Sequence, residues 1–116
     1  MKNCRFEIDD EARRAETIFN DGSRLVAAPV MDEENVARAR ALGYKGTDEE
    51  AVWAMTRHHD LVHTLMAEAE GWPWSPTLHA VANGYTLPPG TSQREERLVF
   101  LIQRLLNVGI EEVLAE

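Results

Sequence analysis

The stretch from Thr47 to Gly71 constrains the fold most, because both ends of a long helix are written into it. Thr47-Asp48-Glu49-Glu50 has the capping-box pattern: the Thr47 hydroxyl can accept from the Glu50 backbone N–H, and the Glu50 carboxylate can reach back to the Thr47 N–H. Gly71 supplies a left-handed stop and Pro73 bars continuation. The expectation is a central helix over 48–70 that carries Arg57-His58-His59-Asp60-Leu61-Val62-His63 near its middle.

Before it, Cys4-Arg5-Phe6-Glu7-Ile8 alternates with the period of a half-buried strand. Ala15-Glu16-Thr17-Ile18-Phe19 and Arg24-Leu25-Val26-Ala27-Ala28 flank Asn20-Asp21-Gly22-Ser23, a good hairpin turn because Asn and Gly adopt positive φ at little cost. A three-stranded antiparallel meander over 1–29, closed by Pro29, follows. The competing reading makes Asp9 to Phe19 a helix, since Glu11-Ala12-Arg13-Arg14-Ala15-Glu16 is a helix-forming run. From 32 to 114 the pattern is helical. Asp32 to Leu42 has acids first, arginines last and Gly43 after it. Ser75 and Pro76 open a short helix ended by Asn83-Gly84. Ser92-Gln93-Arg94-Glu95 repeats the capping-box pattern and starts a helix whose Leu98, Leu101, Ile102, Leu105 and Leu106 form one broad apolar face. Gly109 stops that helix, and Ile110 to Leu114 adds a final turn. The fold class is therefore α+β, one domain over 1–116, with the meander packed on about four helices.

Composition narrows the function. With 20 Asp plus Glu against 12 Lys plus Arg, the formal net charge is −8, which disfavours nucleic acid and anionic membrane surfaces as partners. The single cysteine, Cys4, allows no intramolecular disulfide. No apolar run is long enough to span a bilayer, and the start, Met1-Lys2-Asn3-Cys4-Arg5, lacks the apolar core of a signal peptide. A cytoplasmic protein is the expectation.

On a helical wheel with Val52 at zero, His58 falls at about 240°, inside the apolar arc, and reads as a packed histidine with one hydrogen-bond partner. His59 falls at about 340° and His63 at about 20°, at the border of core and solvent. Being four apart, His59 and His63 can offer two imidazoles to one metal ion. His59-Asp60-Leu61-Val62-His63 resembles the HExxH helix of zinc peptidases, with Asp where that family has Glu. It also resembles the HDxxH helix of a ubiquinone-biosynthesis family, which expects an acid twelve residues after the second His where this chain has Ser75. His59-Asp60 resembles the paired residues of HD-domain phosphohydrolases. These resemblances cover two to five residues and imply a divalent-metal site of hydrolytic type.

A catalytic zinc site needs a third ligand and an open position. His79, folded back from the Trp72-Pro73-Trp74 corner, is the expected third ligand for Zn²⁺ or another divalent ion. Asp60 and Glu70 are the candidate acid–base residues. Trp72, Trp74 and Tyr85, with Trp53, are expected to line an adjoining pocket. The same residues admit another reading: the histidines are structural, the aromatics plug the junction of helices and sheet, and the chain is a non-catalytic domain that binds a protein partner or a second copy of itself.

Overall fold

The computed structural model describes residues 4–116; residues 1–3, where the expected meander and the amino-terminal stretch begin, lie outside it. The chain runs β1 (Cys4–Asp9), β2 (Arg14–Phe19), β3 (Arg24–Ala27), α1 (Glu33–Ala41), α2 (Asp48–Ala69), α3 (Pro76–Asn83), α4 (Thr91–Val108) and α5 (Ile110–Leu114). It is the α+β arrangement expected, with the terminal turn after Gly109 formed as α5.

The strands form an antiparallel meander in the order β1-β2-β3, with Cys4 opposite Phe19 and Ala15 opposite Ala27. In the Asn20 to Ser23 turn, Gly22 has φ +89° and the Asp21 carboxylate accepts from the backbone and hydroxyl of Ser23. The helical alternative for residues 9–19 fails for a local reason and a pairing reason. The Asp9 carboxylate caps a turn by accepting from the Ala12 N–H at 3.0 Å, and Arg13 takes φ +53°, which ends any helix there. Beyond it, Ala15, Thr17 and Phe19 are buried as the inward row of a paired strand.

The helix ends follow their caps. Asp32 accepts from the Asn35 N–H, both halves of the Thr47–Glu50 capping box are made, and Ser75 caps α3 with Pro76 at its start. The exception is α4, which starts two residues earlier than its Ser92 pattern, behind a left-handed Gly90 with no side-chain cap. Glu95 is therefore free to turn into the protein.

The long helix α2 sits at the centre and packs against α1, α3, α4 and β2. One core cluster joins Ala39, Leu42, Tyr44, Ala51, Val52 and Met55, with Phe100 of α4 packed on it. A second joins Cys4, Phe19 and Leu78, so the sheet is held mainly by α3. Trp53 and Arg57 of α2 both donate to Asp10 in the β1–β2 turn, at 3.0 and 2.8 Å, which ties the meander to the long helix. The leucine face expected to bury α4 is largely turned outward: Leu98, Leu101 and Leu106 are exposed, whereas Val99 and Gln103 are fully buried. Among the described residues no helix is long and apolar enough to cross a membrane.

The α1–α2 turn is seated on the far end of α4, where Asn107 donates to the Leu42 carbonyl at 2.8 Å. Gly43 has φ +89°, and a Cβ there would come within 2.7 Å of a Val108 methyl and 2.9 Å of the Asn107 Cβ. Gly43→Ala is expected to lower stability by about 2 kcal/mol, combining left-handed strain with overpacking. Urea denaturation measures this; an unchanged midpoint would show that the turn is not seated on α4.

Candidate metal centre

His59 and His63 are one helical turn apart on α2, and α4 runs antiparallel beside them. That crossing sets Glu95 and Glu96 against His63, and Gln103, two turns further along α4, against His59. His59 Nε2 lies 3.3 Å from His63 Nε2 and 3.0 Å from Glu96 Oε1, and His63 Nε2 is in close contact with the same carboxylate oxygen. These three atoms form the group that could hold a metal ion among the described residues. Zinc ligands at 2.0–2.1 Å in tetrahedral array stand about 3.3 Å from one another. The two His59 separations are close to that edge length.

The outer nitrogens are held as well. His63 Nδ1 meets Glu95 Oε1 at 2.8 Å, and Glu95 is itself oriented by the hydroxyls of Ser75, at 2.7 Å, and Thr77. His59 Nδ1 meets Gln103 Oε1 at 3.0 Å. Gln103 Nε2 lies 3.1 Å from the Met55 carbonyl, which can only accept, and this contact fixes the amide so that its oxygen faces His59. His59 must then donate from Nδ1, with Nε2 turned toward His63 and Glu96. The chain continues outward: Gln103 Nε2 donates to the Tyr44 hydroxyl, whose proton goes to His58 Nδ1. His58 is thus the packed histidine expected from the wheel.

At the centre, Nε2 of His59, Nε2 of His63 and Oε1 of Glu96 face one another. Burial disfavours the His63 cation, but its hydrogen bonds to Glu95 and Glu96 and their negative charges outweigh it and lift the pKa to about 9. Burial likewise pushes Glu96 up, but the hydrogen bonds and charges of His59 and His63 prevail and bring it down to about 2. Glu95 is also lowered, burial being outweighed by its bonds from His63, Thr77 and Ser75. A divalent cation at the centre would satisfy all three atoms.

The group opens on one side into a cleft of about 250 Å³ lined by α1, α2, α4 and the segment after β3, with His59, Asp60 and Glu96 on its wall. Burial raises the Asp60 pKa, although the histidine charges pull the other way. Asp60 thus combines access to the cleft with a weakened preference for the ionised form.

The structure rearranges the expected site in several respects. His59 and His63 converge as a pair, but His63 is completely buried rather than at a border. His79 does not join the group of His59, His63 and Glu96. It bonds Asp21 Oδ2 at 2.6 Å through Nε2 and the Tyr85 hydroxyl through Nδ1, and it stacks on Trp74 at 4.8 Å, so it clamps the β2–β3 turn to α3. Glu70 is exposed at the end of α2 and takes no part. Trp72 and Tyr85 are about half exposed, Trp74 packs edge-on against Phe19, and Trp53 is bound to Asp10, so these aromatics do not line the histidine cleft.

Sequence reasoning missed Glu95, Glu96 and Gln103. Glu95 was absorbed into a capping box, and the leucines hid the stripe of Glu96, Val99 and Gln103, spaced by three and four along α4. Ser75, standing where the HDxxH family has its acid, donates to the carboxylate of Glu95, so α4 supplies an acid next to that position. No protein-family model matches the chain, and neither curated proteins nor solved structures yield a match.

The shifts make metal-free stability pH-dependent. His63 is raised from 6.5 to about 9, so its contribution is complete below pH 6.5 and lost as pH rises through 9. Glu96 is lowered from 4.5 to about 2, so its contribution is present above pH 4.5 and lost as pH falls through 2. Chelator-treated protein should therefore melt progressively lower between pH 6.5 and 9, and the Glu96→Gln variant should show a shallower decline. Parallel pH profiles for the two proteins would contradict the buried ion pairing.

Proposed function

We propose that this chain is a small divalent-metal-dependent protein of hydrolase type, in which His59, His63 and Glu96 hold Zn²⁺ or a similar ion. The observation that carries the reading is the convergence of two imidazole nitrogens and a carboxylate oxygen at ligand-like separations beside an open cleft. Glu95 and Gln103 act as the outer partners that fix the ring orientations, a recurrent feature of histidine-ligated metal sites. Three protein ligands leave a coordination position for water or substrate, and the adjoining cleft gives access to it. A bound ion would polarise a substrate oxygen and lower the pKa of its water. Asp60, on the cleft wall and easier to protonate than an ordinary Asp, is the residue proposed to move the proton. A cytoplasmic setting belongs to the same proposal, consistent with one unpaired, buried cysteine.

The test is metal content and its linkage to stability. Purified tag-free protein is expected to carry close to one equivalent of metal, and added Zn²⁺ at a hundredfold over its Kd should stabilise the chelated protein by about 2.7 kcal/mol. Glu96→Gln keeps the side-chain shape and removes the anionic ligand, so it should abolish that stabilisation. It is a cleaner probe than His63→Ala, which would leave Glu95 and Glu96 facing a buried cavity without their cation. Gln103→Leu, which frees the His59 ring, should weaken zinc binding by about 10- to 100-fold while leaving stoichiometry intact. Metal-free protein that is indifferent to Zn²⁺ would end this reading.

A second reading has its own support. Leu106, Ile110 and Leu114 are 72%, 62% and 76% exposed along α4 and α5, an apolar row suited to a protein partner or a second copy. Under it the histidine cluster is structural. Light scattering would then show a larger species, which Leu106→Glu should dissociate without altering metal content.

A further inference from the structure

The cleft has two chemically different ends. His59, Glu96 and Asp60 form one, and α1 contributes the other through Asn35 and Arg38. Arg38 is the arginine among the lining residues, and its guanidinium carbon lies 5.1 Å from the centroid of the Phe100 ring. Stacking of this kind holds the planar group in place while leaving its edge donors available. Its hydrogen bonds go to Glu34 at 3.1 Å and to the Asn35 amide oxygen at 3.5 Å. The first is an i,i+4 pair with a carboxylate whose side chain is 79% exposed, so it is weak and exchangeable. Five N–H donors against two such partners leave capacity for a ligand. Between the two ends, Val30, Met55 and Phe100 supply an apolar wall.

The charge balance points the same way. A divalent ion and Arg38 together outweigh Glu96 and Asp60, so the loaded cleft is locally positive in a chain of net charge −8. We infer that the cleft takes a small amphiphilic oxyanion, a carboxylate or phosphate monoester whose charged group is held by Arg38 and whose apolar body lies against Phe100 and Val30. The inference rests on the metal reading for the net positive charge of the loaded cleft and for which end of the substrate reacts: the bond to be hydrolysed faces His59 and Glu96, away from the anionic group, while the Arg38 contact itself does not require the ion. Arg38 is accordingly a specificity-determining residue. The carboxylate and phosphate forms share the same two-pronged recognition by guanidinium.

The experiment titrates benzoate, phenyl phosphate and neutral benzyl alcohol into zinc-treated and chelated full-length protein, with binding followed by ligand-observed NMR. Zinc content is measured separately on each sample. Benzoate, phenyl phosphate or both should bind at least about tenfold more tightly than benzyl alcohol, and the tighter of the two anions names the substrate class. Arg38→Met keeps the stem that packs on Phe100 and should remove that preference with zinc content unchanged. Arg38→Lys should restore only part of it, since an ammonium lacks the planar fork. Equal binding of the neutral probe, or anion binding that survives Arg38→Met, overturns the inference. Should the Met variant not fold, the wild-type preference for anion over alcohol and its recovery in Arg38→Lys decide the matter. Anion binding that depends on Arg38 in protein that holds no zinc would sustain this subsite and remove the metal reading; zinc uptake without anion preference would do the reverse.

Discussion

One imidazole shut away from water sets the terms of this molecule. His63 is fully buried at the centre of the longest helix, and both of its ring nitrogens meet carboxylates. An ion of that size taken out of water costs several kcal/mol even after relaxation, and loss of one partner of such a pair typically costs 3–5 kcal/mol. The helix that brings Glu95 and Glu96 is therefore held in rotation and in register. A turn of α4 by one residue, about 100°, would swing a carboxylate out and set an arginine, Arg94 or Arg97, against a cation. This explains why α4 buries Val99 and Gln103 and leaves several leucines facing outward. Hydrophobic area alone would favour the opposite rotation.

From that contact the remaining polar groups fall into sequence. Glu95 is fixed from behind by Ser75 and Thr77 at the start of α3, so the clamp also docks the short helix. Gln103 accepts from His59 and donates to Met55 and Tyr44, which joins the histidine cluster to the core between α1 and α2. A partly satisfied buried network is costly, and each polar atom named in this one has a partner. The residues that make the core specific thus also bring two imidazoles and a carboxylate to one point.

The cleft follows from the packing around that cluster. The segment after β3 and helix α1 stand off from α2 and α4 far enough to leave about 250 Å³ between them. The far end of the meander is secured by a different histidine, His79, paired with Asp21 and stacked on Trp74. Two histidine-carboxylate contacts therefore serve two purposes. One is exposed to the hairpin and ties sheet to helix; the other is buried and converges with a second imidazole.

The strands, the helix boundaries and the His59–His63 pair were legible in the residues because the forces that set them act within a few positions. Thr47 reaches Glu50, Ser75 reaches the Leu78 N–H, Gly71 and Gly84 adopt positive φ, and an i,i+4 spacing places two side chains on one helical face whatever surrounds them. The carboxylate that meets this histidine pair was not legible. Glu96 lies 37 residues from His59 and 33 from His63, and Gln103 lies 44 from His59. Which side of α4 would face them depended on the cost of burying the His63 charge, and an opposite-charge partner can meet that cost from any point in the chain. Local patterns named the helices and one half of the site; only the packing of α4 on α2 chose Glu96 over His79, because a buried cation is answered by the nearest carboxylate in space.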